Sequence, residues 1–164
     1  MKLCYSTVET PFGWLLAVGR DGKLIKIDLP RPTREAAQAG APAGAVESSD
    51  GFGDLIERLR LYFNGEAVDF SDVPVEFDAL GEFEEKVLLE AMKTPFGRII
   101  SYKDLAALAG SPRAARAVGN AMRKNPLPIV VPCHRVVHSD GSLGGYMGGL
   151  DLKRKLLDLE GITL

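Results

Sequence analysis

Residues 101–125, SYKDLAALAGSPRAARAVGNAMRKN, decide the fold of this chain. Ser101 is a residue type that caps the start of a helix, and Gly110 is the type that follows a helix end, so a helix is predicted between them. Ser111 is predicted to cap a second helix, with Pro112 at the first helical position, where the missing N–H does not remove a helical hydrogen bond. Two short helices joined by a tight glycine-containing turn predict a helix-turn-helix.

The second helix of this pair is thin and basic. Five of the twelve residues at positions 112–123 are alanine or glycine, and Arg113, Arg116 and Arg123 stand among them. The minor groove of DNA is about half as wide as the major groove, so only small side chains let a helix enter it. One longer side chain on such a helix can then enter the base stack. Close helix packing in a core is the alternative, but the arginines favour DNA.

The first half of the chain predicts a small sheet. Residues 2–9, 13–19 and 23–29 are short apolar-rich runs separated by turn sequences, which is typical of a three-stranded antiparallel meander. Residues 30–51 are rich in Ala, Gly and Pro and predict a loose loop. Residues 52–65 show the apolar spacing of a helix.

The order of these elements predicts an α+β fold with two domains. Residues 1–78 are expected to form an N-terminal α/β domain with the three-stranded antiparallel sheet. Residues 79–164 are expected to form a mainly helical domain that contains the helix-turn-helix and the reactive segment. A helix over residues 82–94, with acidic residues in its first turn, opens this second domain.

Composition indicates a soluble globular protein. The hydrophobic fraction is 46% and the charged fraction 26%, which are ordinary values for that class. No apolar run has membrane-spanning length, and the polar start does not predict a signal peptide. We therefore expect a cytoplasmic protein without a membrane partner, in which Cys4 and Cys133 are free thiols. Two distant cysteines and two histidines are too few for a zinc site.

The net charge of −2 conceals an asymmetry. Residues 1–94 hold 10 Lys and Arg against 17 Asp and Glu, a balance of −7, whereas residues 95–164 hold 10 against 5, a balance of +5. A polyanion would meet the second part far more favourably than the first. Uneven surface charge without function is the alternative interpretation.

The segment VPCHRVV, residues 131–137, places Cys133 beside His134. A buried cysteine is usually an inert small hydrophobe. Here a neighbouring imidazole is available to take the thiol proton. The glycine-rich residues 141–149 allow a flat ligand to approach the backbone, and Glu160 supplies the acid that orients a histidine in a triad. These features favour a reactive thiol.

About residues 80–164 resemble the O6-alkylguanine-DNA alkyltransferases. PCHRVV resembles their active-site signature, and FGRIISYKDLAALAG, PRAARAVGNAMRKNPLPIVV, GSLGGY and LEG resemble the flanking segments in the same order. The first 80 residues resemble the family only as a small α/β domain. Some relatives bind zinc there, but Cys4 lacks the companion ligands, so we expect no metal and no cofactor.

The resemblance implies repair of DNA by direct reversal. The alkyl group of O6-alkylguanine, or less readily of O4-alkylthymine, passes irreversibly to Cys133 after the base is flipped out, once per molecule. The implied partner is double-stranded DNA containing O6-alkylguanine, bound through its minor groove by a monomer. His134, oriented by Glu160, is expected to keep the thiol near thiolate. Tyr102 is expected to assist flipping and to donate a hydrogen bond to the leaving guanine.

Further residues carry roles by the same resemblance. Arg116 matches the arginine that fills the gap in the base stack, and Asn125 matches the hinge asparagine. The backbone around Val136 and Met147 is expected to line the base pocket, and relatives often have serine or arginine where Met147 stands. Other DNA contacts are expected from Lys103, Ser111 and Ser139.

Two alternative functions use the same residues differently. A non-reacting recogniser of alkylated DNA is one, although such relatives carry tryptophan in place of Cys133. A thiol hydrolase is the other, but it leaves the thin basic helix unexplained. A structural two-domain regulator would need no reactive thiol. We interpret His138 as a solvated loop residue and Arg135 as a partner in a structural ion pair.

Overall fold

Contacts in the computed structural model, which describes residues 2–164, separate the chain into two units. The first contains the residues up to Val68 together with Asp72–Asp78, and the second contains Asp69–Ser71 and Ala79–Leu164. Sheet dominates the first unit and helix the second, which confirms the predicted α+β class. Within residues 2–164, no helix has both the length and the apolar character needed to span a membrane.

The first unit is built on a four-stranded sheet in the order β3-β2-β1-β4. The strands are β1 (Leu3–Thr10), β2 (Gly13–Arg20), β3 (Lys23–Arg31) and β4 (Val46–Glu47). The first three form the predicted antiparallel meander, whereas β4 pairs in parallel with β1. Helix α1 (Arg34–Gln38) packs on β2 and β3, and α2 (Leu55–Phe63) packs on β1.

The prediction of a loose loop over residues 30–51, and with it of a sheet with only three strands, was wrong. This segment contains α1, β4 and a 3-10 turn. Thr33 begins α1 by accepting a hydrogen bond from the Ala36 amide through its side chain at 3.1 Å, and Ala37 is buried. A five-residue helix and a two-residue strand contain too few large apolar residues to show a periodic pattern.

The second unit is mainly helical. Its elements are α3 (Glu82–Ala91), β5 (Ile100–Ser101), α4 (Tyr102–Leu108), α5 (Ala115–Arg123), β6 (Val136–Val137) and α6 (Leu150–Leu159). Helices α3, α4 and α5 pack together around Val87, Leu88, Leu105 and Val118, which are fully buried. Helices α4 and α5 are the two members of the predicted helix-turn-helix.

The start and end of α4 are as predicted. The Ser101 side chain accepts a hydrogen bond from the Asp104 amide at 2.9 Å, which satisfies one N–H that the first turn leaves open. Gly110 follows the helix with a φ of +85°, a conformation that favours glycine.

The predicted cap of the second helix was wrong. Helix α5 begins at Ala115, and Ala114 precedes it without a side-chain cap. The amide of Ser111 donates instead to the Ala106 carbonyl at 2.9 Å, so Ser111 completes the C-terminal turn of α4. Ser111 therefore ends one helix and does not begin the next.

Candidate active site

A short parallel pairing of backbone sets the positions of Tyr102 and Cys133. β5 pairs with β6 through Ile100 with Val136 and Ser101 with Val137. Tyr102 begins the helix that follows β5, and Cys133 begins the 3-10 turn Cys133–Arg135 that precedes β6. Tyr102 therefore lies just past one end of this pairing, in register with His138, and Cys133 lies just before the other end.

These segments open onto a cavity of about 270 Å³. Small-molecule pockets usually range from roughly 300 to 1,000 Å³, so this volume suits a ligand of one or two rings. Four of the predicted site residues line the cavity: Tyr102, Arg116, Cys133 and Met147. His138 and Tyr146 also line it.

Helix α5 forms one wall of the cavity and contributes two small residues as well as the longer side chains of Arg116, Met122 and Arg123. Ala115 and Gly119 line it, together with the exposed Arg116. A Cβ atom added at Gly119 would lie 4.0 Å from a ring carbon of Tyr102. The small residues therefore leave the space in front of the tyrosine open, while the arginine stays exposed to solvent beside the opening.

Cys133 lies in this cavity with only 3% of its surface exposed. Burial raises the pKa of its thiol to about 11, although hydrogen bonds from the Asn125 and Tyr146 side chains and the charge of Lys153 act in the opposite direction. The resting thiol is therefore protonated at neutral pH. This differs from the near-thiolate expected from the sequence, because the adjacent imidazole faces a carboxylate and does not offset the burial of the sulfur.

The imidazole of His134 is fully buried and contacts Glu160. Its Nε2 lies 2.5 Å from Oε2 of Glu160. Burial lowers the pKa of His134, although the contact with Glu160 acts against this shift. A neutral imidazole that donates from Nε2 to the carboxylate carries its basic lone pair on Nδ1. His134 is thus arranged as a neutral base.

Glu160 also receives the side chain of Arg135. Arg135 Nε donates to Glu160 Oε1 at 2.8 Å and a second guanidinium nitrogen donates to Oε2 at 3.2 Å, which confirms the interpretation of Arg135 as an ion-pair partner. The amide of Gly97 donates to Oε1 at 2.9 Å. Burial alone would raise the pKa of Glu160, but His134 and Arg135 lower it to about 2. The carboxylate remains ionised throughout the neutral range.

Sequence reasoning missed Lys153. This lysine is fully buried on α6, and its Nζ donates to the carbonyl of Val136 at 2.8 Å, to that of Gly145 at 3.2 Å and to that of Leu143. One ammonium thereby ties the glycine-rich loop to the strand after Cys133. Burial lowers the pKa of Lys153 to about 8. The available signal was its helical spacing with Leu156 and Leu157, the other buried residues of α6, and with Glu160, which directly follows the helix.

Asn125 lies behind the cavity and bridges the chain ahead of Cys133. Its side chain donates to the Val131 carbonyl at 3.0 Å and accepts from the Leu127 amide at 2.9 Å. Both contacts are buried, so the segment between α5 and Cys133 has a defined path. This asparagine thus holds the thiol segment to the helix-turn-helix.

Seven predicted residues lie outside the cavity lining: His134, Asn125 and Glu160, described above, and four others. Val136 is fully buried, and its carbonyl accepts from Lys153. Lys103 and Ser139 are exposed and Ser111 is half-buried, so these three lie at the surface of the second unit. In the part of the chain that the structure describes, no cluster of three His, Cys, Asp or Glu residues could hold a metal ion.

The buried thiol makes stability depend on pH. The folded pKa of Cys133, about 11, exceeds the ordinary value of 9.0. The contribution of the thiol to the free energy of unfolding is therefore complete below pH 9.0 and is lost as the pH rises to about 11. The full loss is roughly 3 kcal/mol, because each tenfold change in an ionisation equilibrium corresponds to about 1.4 kcal/mol. Cys133→Ser should lack this loss because a serine hydroxyl does not titrate in this range. Urea unfolding of both proteins from about pH 8 to about pH 11 measures it, and parallel pH profiles would contradict the prediction.

Both units match known proteins. Residues 3–77 match the family described as "6-O-methylguanine DNA methyltransferase, ribonuclease-like domain", and residues 82–162 match "6-O-methylguanine DNA methyltransferase, DNA binding domain". The chain is 38% identical over 157 residues to the methylated-DNA–protein-cysteine methyltransferase of Metallosphaera sedula, covering 96% of this chain and 92% of the relative. It is 42% identical over 167 residues to the human protein of that name, covering 97% and 81%.

Solved structures agree with the sequence matches. The crystal structure of Mycobacterium tuberculosis OGT in complex with DNA superposes with a TM-score of 0.79 at 35% identity, covering 95% of this chain and 91% of that one. The matched segments span nearly the whole chain, and the chain therefore belongs to the 6-O-methylguanine DNA methyltransferase family.

Proposed function

We propose that this protein repairs DNA by transferring the alkyl group of O6-alkylguanine to its own Cys133. The observation that carries the proposal is a buried thiol in a cavity that suits a single base, beside a tyrosine and a thin arginine-bearing helix. The family to which the chain belongs supports the same reaction. O4-alkylthymine is the poorer substrate in this proposal, and each molecule acts once.

The damaged base must leave the duplex before it reacts. A stacked guanine cannot bring its O6 substituent to a thiol with 3% exposure, so the nucleotide is flipped out, at a cost of a few kcal/mol. The thin wall formed by α5 allows approach through the minor groove. Arg116, exposed beside the cavity opening, fills the gap that the base leaves in the stack. Lys103, Ser111 and Ser139 supply surface contacts to the phosphates.

The chemical step is a single displacement at the alkyl carbon. His134 takes the thiol proton on Nδ1, directly or through a water, and Glu160 stabilises the imidazolium that forms. The Sγ–C bond forms as the C–O6 bond breaks. Burial raises the pKa of Tyr102, so its hydroxyl holds a proton that it donates to the departing guanine.

The product explains why one molecule reacts once. S-alkylcysteine is a thioether, and Cys4, the other cysteine of the chain, lies buried in the first unit. The reaction needs no cofactor, because guanine leaves once its charge is neutralised. Cys133 must stay reduced, which suits the cytoplasm. The proposed acting species is a monomer.

The deciding experiment measures protein mass after incubation with a duplex that carries O6-methylguanine. A gain of one methyl group on the tryptic peptide containing Cys133, with guanine restored in the DNA, supports the proposal. Tight binding without a mass gain would indicate a non-reacting recogniser. Repeated turnover of an ester would indicate a thiol hydrolase.

Arg116→Ala should slow transfer from duplex DNA by roughly 10- to 100-fold, because an unfilled gap in the stack costs a few kcal/mol. Transfer from a single-stranded oligonucleotide should change much less, since no base pair has to be broken. Single-turnover rates on the two substrates measure the difference. Arg154→Ala is the matched control, because it removes one exposed positive charge on α6. Equal losses on both substrates would contradict the role given to Arg116.

A further inference from the structure

We infer that His138 is a positioning residue that holds Tyr102 in place for alkyl transfer, an inference that rests on the function proposed above. His138 follows β6 directly and lines the same cavity as Cys133. Its ring lies against that of Tyr102, with the ring centroids 5.0 Å apart and the planes tilted by 47°. His138 is exposed, as expected for a loop histidine, but its ring contact with Tyr102 was not predicted.

The surroundings of Tyr102 show why a supporting ring matters. A Cβ atom on Gly144 would lie 2.7 Å from the Tyr102 hydroxyl and 3.3 Å from Nε2 of His138, so both polar atoms face one stretch of bare backbone. Gly119 approaches the tyrosine from the opposite helix, also without a side chain. Neither glycine can hold the ring by side-chain packing, and the imidazole supplies that packing.

The backbone that carries His138 is itself held by a closed turn. The His138 amide donates to the Ser142 carbonyl at 2.9 Å, and the Gly141 amide donates to the His138 carbonyl at 3.0 Å. Within this turn, Asp140 accepts from the Ser142 amide at 2.9 Å and from the Ser142 hydroxyl at 2.6 Å. The imidazole therefore projects from a braced loop.

One backbone feature aligns the two rings. The pairing of β5 with β6 sets the start of α4, where Tyr102 lies, and also the end of β6, where His138 follows. The backbone positions of Tyr102 and His138 are thereby set next to each other within the second unit. A side chain at position 138 can therefore control where the Tyr102 hydroxyl points during the reaction.

The expected effect falls on the chemical step. An aromatic contact of this kind corresponds to roughly 3- to 10-fold in rate when it orients a proton donor. His138→Ala should lower the limiting single-turnover transfer rate by that factor and leave the affinity for undamaged duplex DNA within about 2-fold. His138→Phe keeps a ring of similar size and should retain most of the wild-type rate.

A double-mutant cycle with Tyr102→Phe tests the coupling. In that background no hydroxyl is left to orient, so His138→Ala should change the rate by less than about 2-fold. Thermal unfolding of each variant shows which proteins are folded, and rates are compared among those. The pattern of a loss with Ala, recovery with Phe and no loss beside Tyr102→Phe supports the inference.

Three outcomes would overturn it. These are a wild-type rate in His138→Ala, equal losses in the Ala and Phe variants, or the same loss with and without the Tyr102 hydroxyl. Failure of the proposed function is separate from all three, because it appears as absence of transfer by the wild-type protein itself.

Discussion

We expect Cys133→Ser to abolish alkyl transfer and to keep the affinity for undamaged duplex DNA within about 2-fold of wild type. The sulfur is the atom that forms the new bond, and a serine hydroxyl is a far weaker nucleophile beside a neutral imidazole. The change removes no surface charge and no exposed contact, since Cys133 is 3% exposed. Mass spectrometry of the intact protein and a fluorescence-anisotropy titration with duplex DNA measure the two quantities.

Cys4→Ser is the matched control for this experiment. Cys4 is also buried, but it lies in the first unit and outside the cavity. The Cys4→Ser protein should transfer the alkyl group at the wild-type rate. Residual methylation of Cys133→Ser, or a loss of transfer in Cys4→Ser, would show that the acceptor has been misassigned.

Glu160→Gln should weaken both stability and transfer. The carboxylate holds His134 and Arg135 at once, and all three side chains are buried. An amide in its place leaves the Arg135 guanidinium without a buried negative partner, which costs roughly 3–5 kcal/mol of unfolding free energy. It also removes the charge that stabilises a protonated imidazole, so transfer should fall by roughly 100-fold or more.

Two measurements separate these effects. Urea unfolding gives the loss of stability, and single-turnover transfer at low temperature gives the rate of the molecules that remain folded. Glu85→Gln on the exposed side of α3 makes the same chemical change at the surface and should alter stability by less than about 0.5 kcal/mol. A Glu160→Gln protein with wild-type transfer would exclude His134 as the base.

Local chemistry explains which parts of the fold were predictable. Ser101 and Gly110 are strong signals because each acts within one turn of its own helix, and the structure has both as expected. The prediction that Ser111 caps the second helix was wrong because serine occurs both at the start and after the end of helices. Its amide bonds back to Ala106, and that bond competes with the capping role. A short connection between helices leaves that choice to the tertiary packing.

The residues of the site also divide into those that the sequence predicts and those that depend on tertiary packing. The family resemblance carried by PCHRVV and the thin helix singled out Cys133 and Arg116, and the structure brings both to one cavity with Tyr102 and Met147. Lys153 was missed because a lysine in a helix is ordinarily solvated, and only the three-dimensional path of the loop gives it carbonyl acceptors. The protonation state of the thiol depends on burial, which adjacency in sequence does not reveal.

A thiol held in its protonated form by burial has a consequence for the lifetime of the protein in a cell. Burial raises the pKa of Cys133 to about 11, and free electrophiles react with the thiolate form of a cysteine. We therefore expect free alkylating agents and oxidants to react slowly with this sulfur, which is also only 3% exposed. If each molecule acts once, as proposed, this slow side reaction would keep the protein available for damaged DNA in an environment rich in competing reagents.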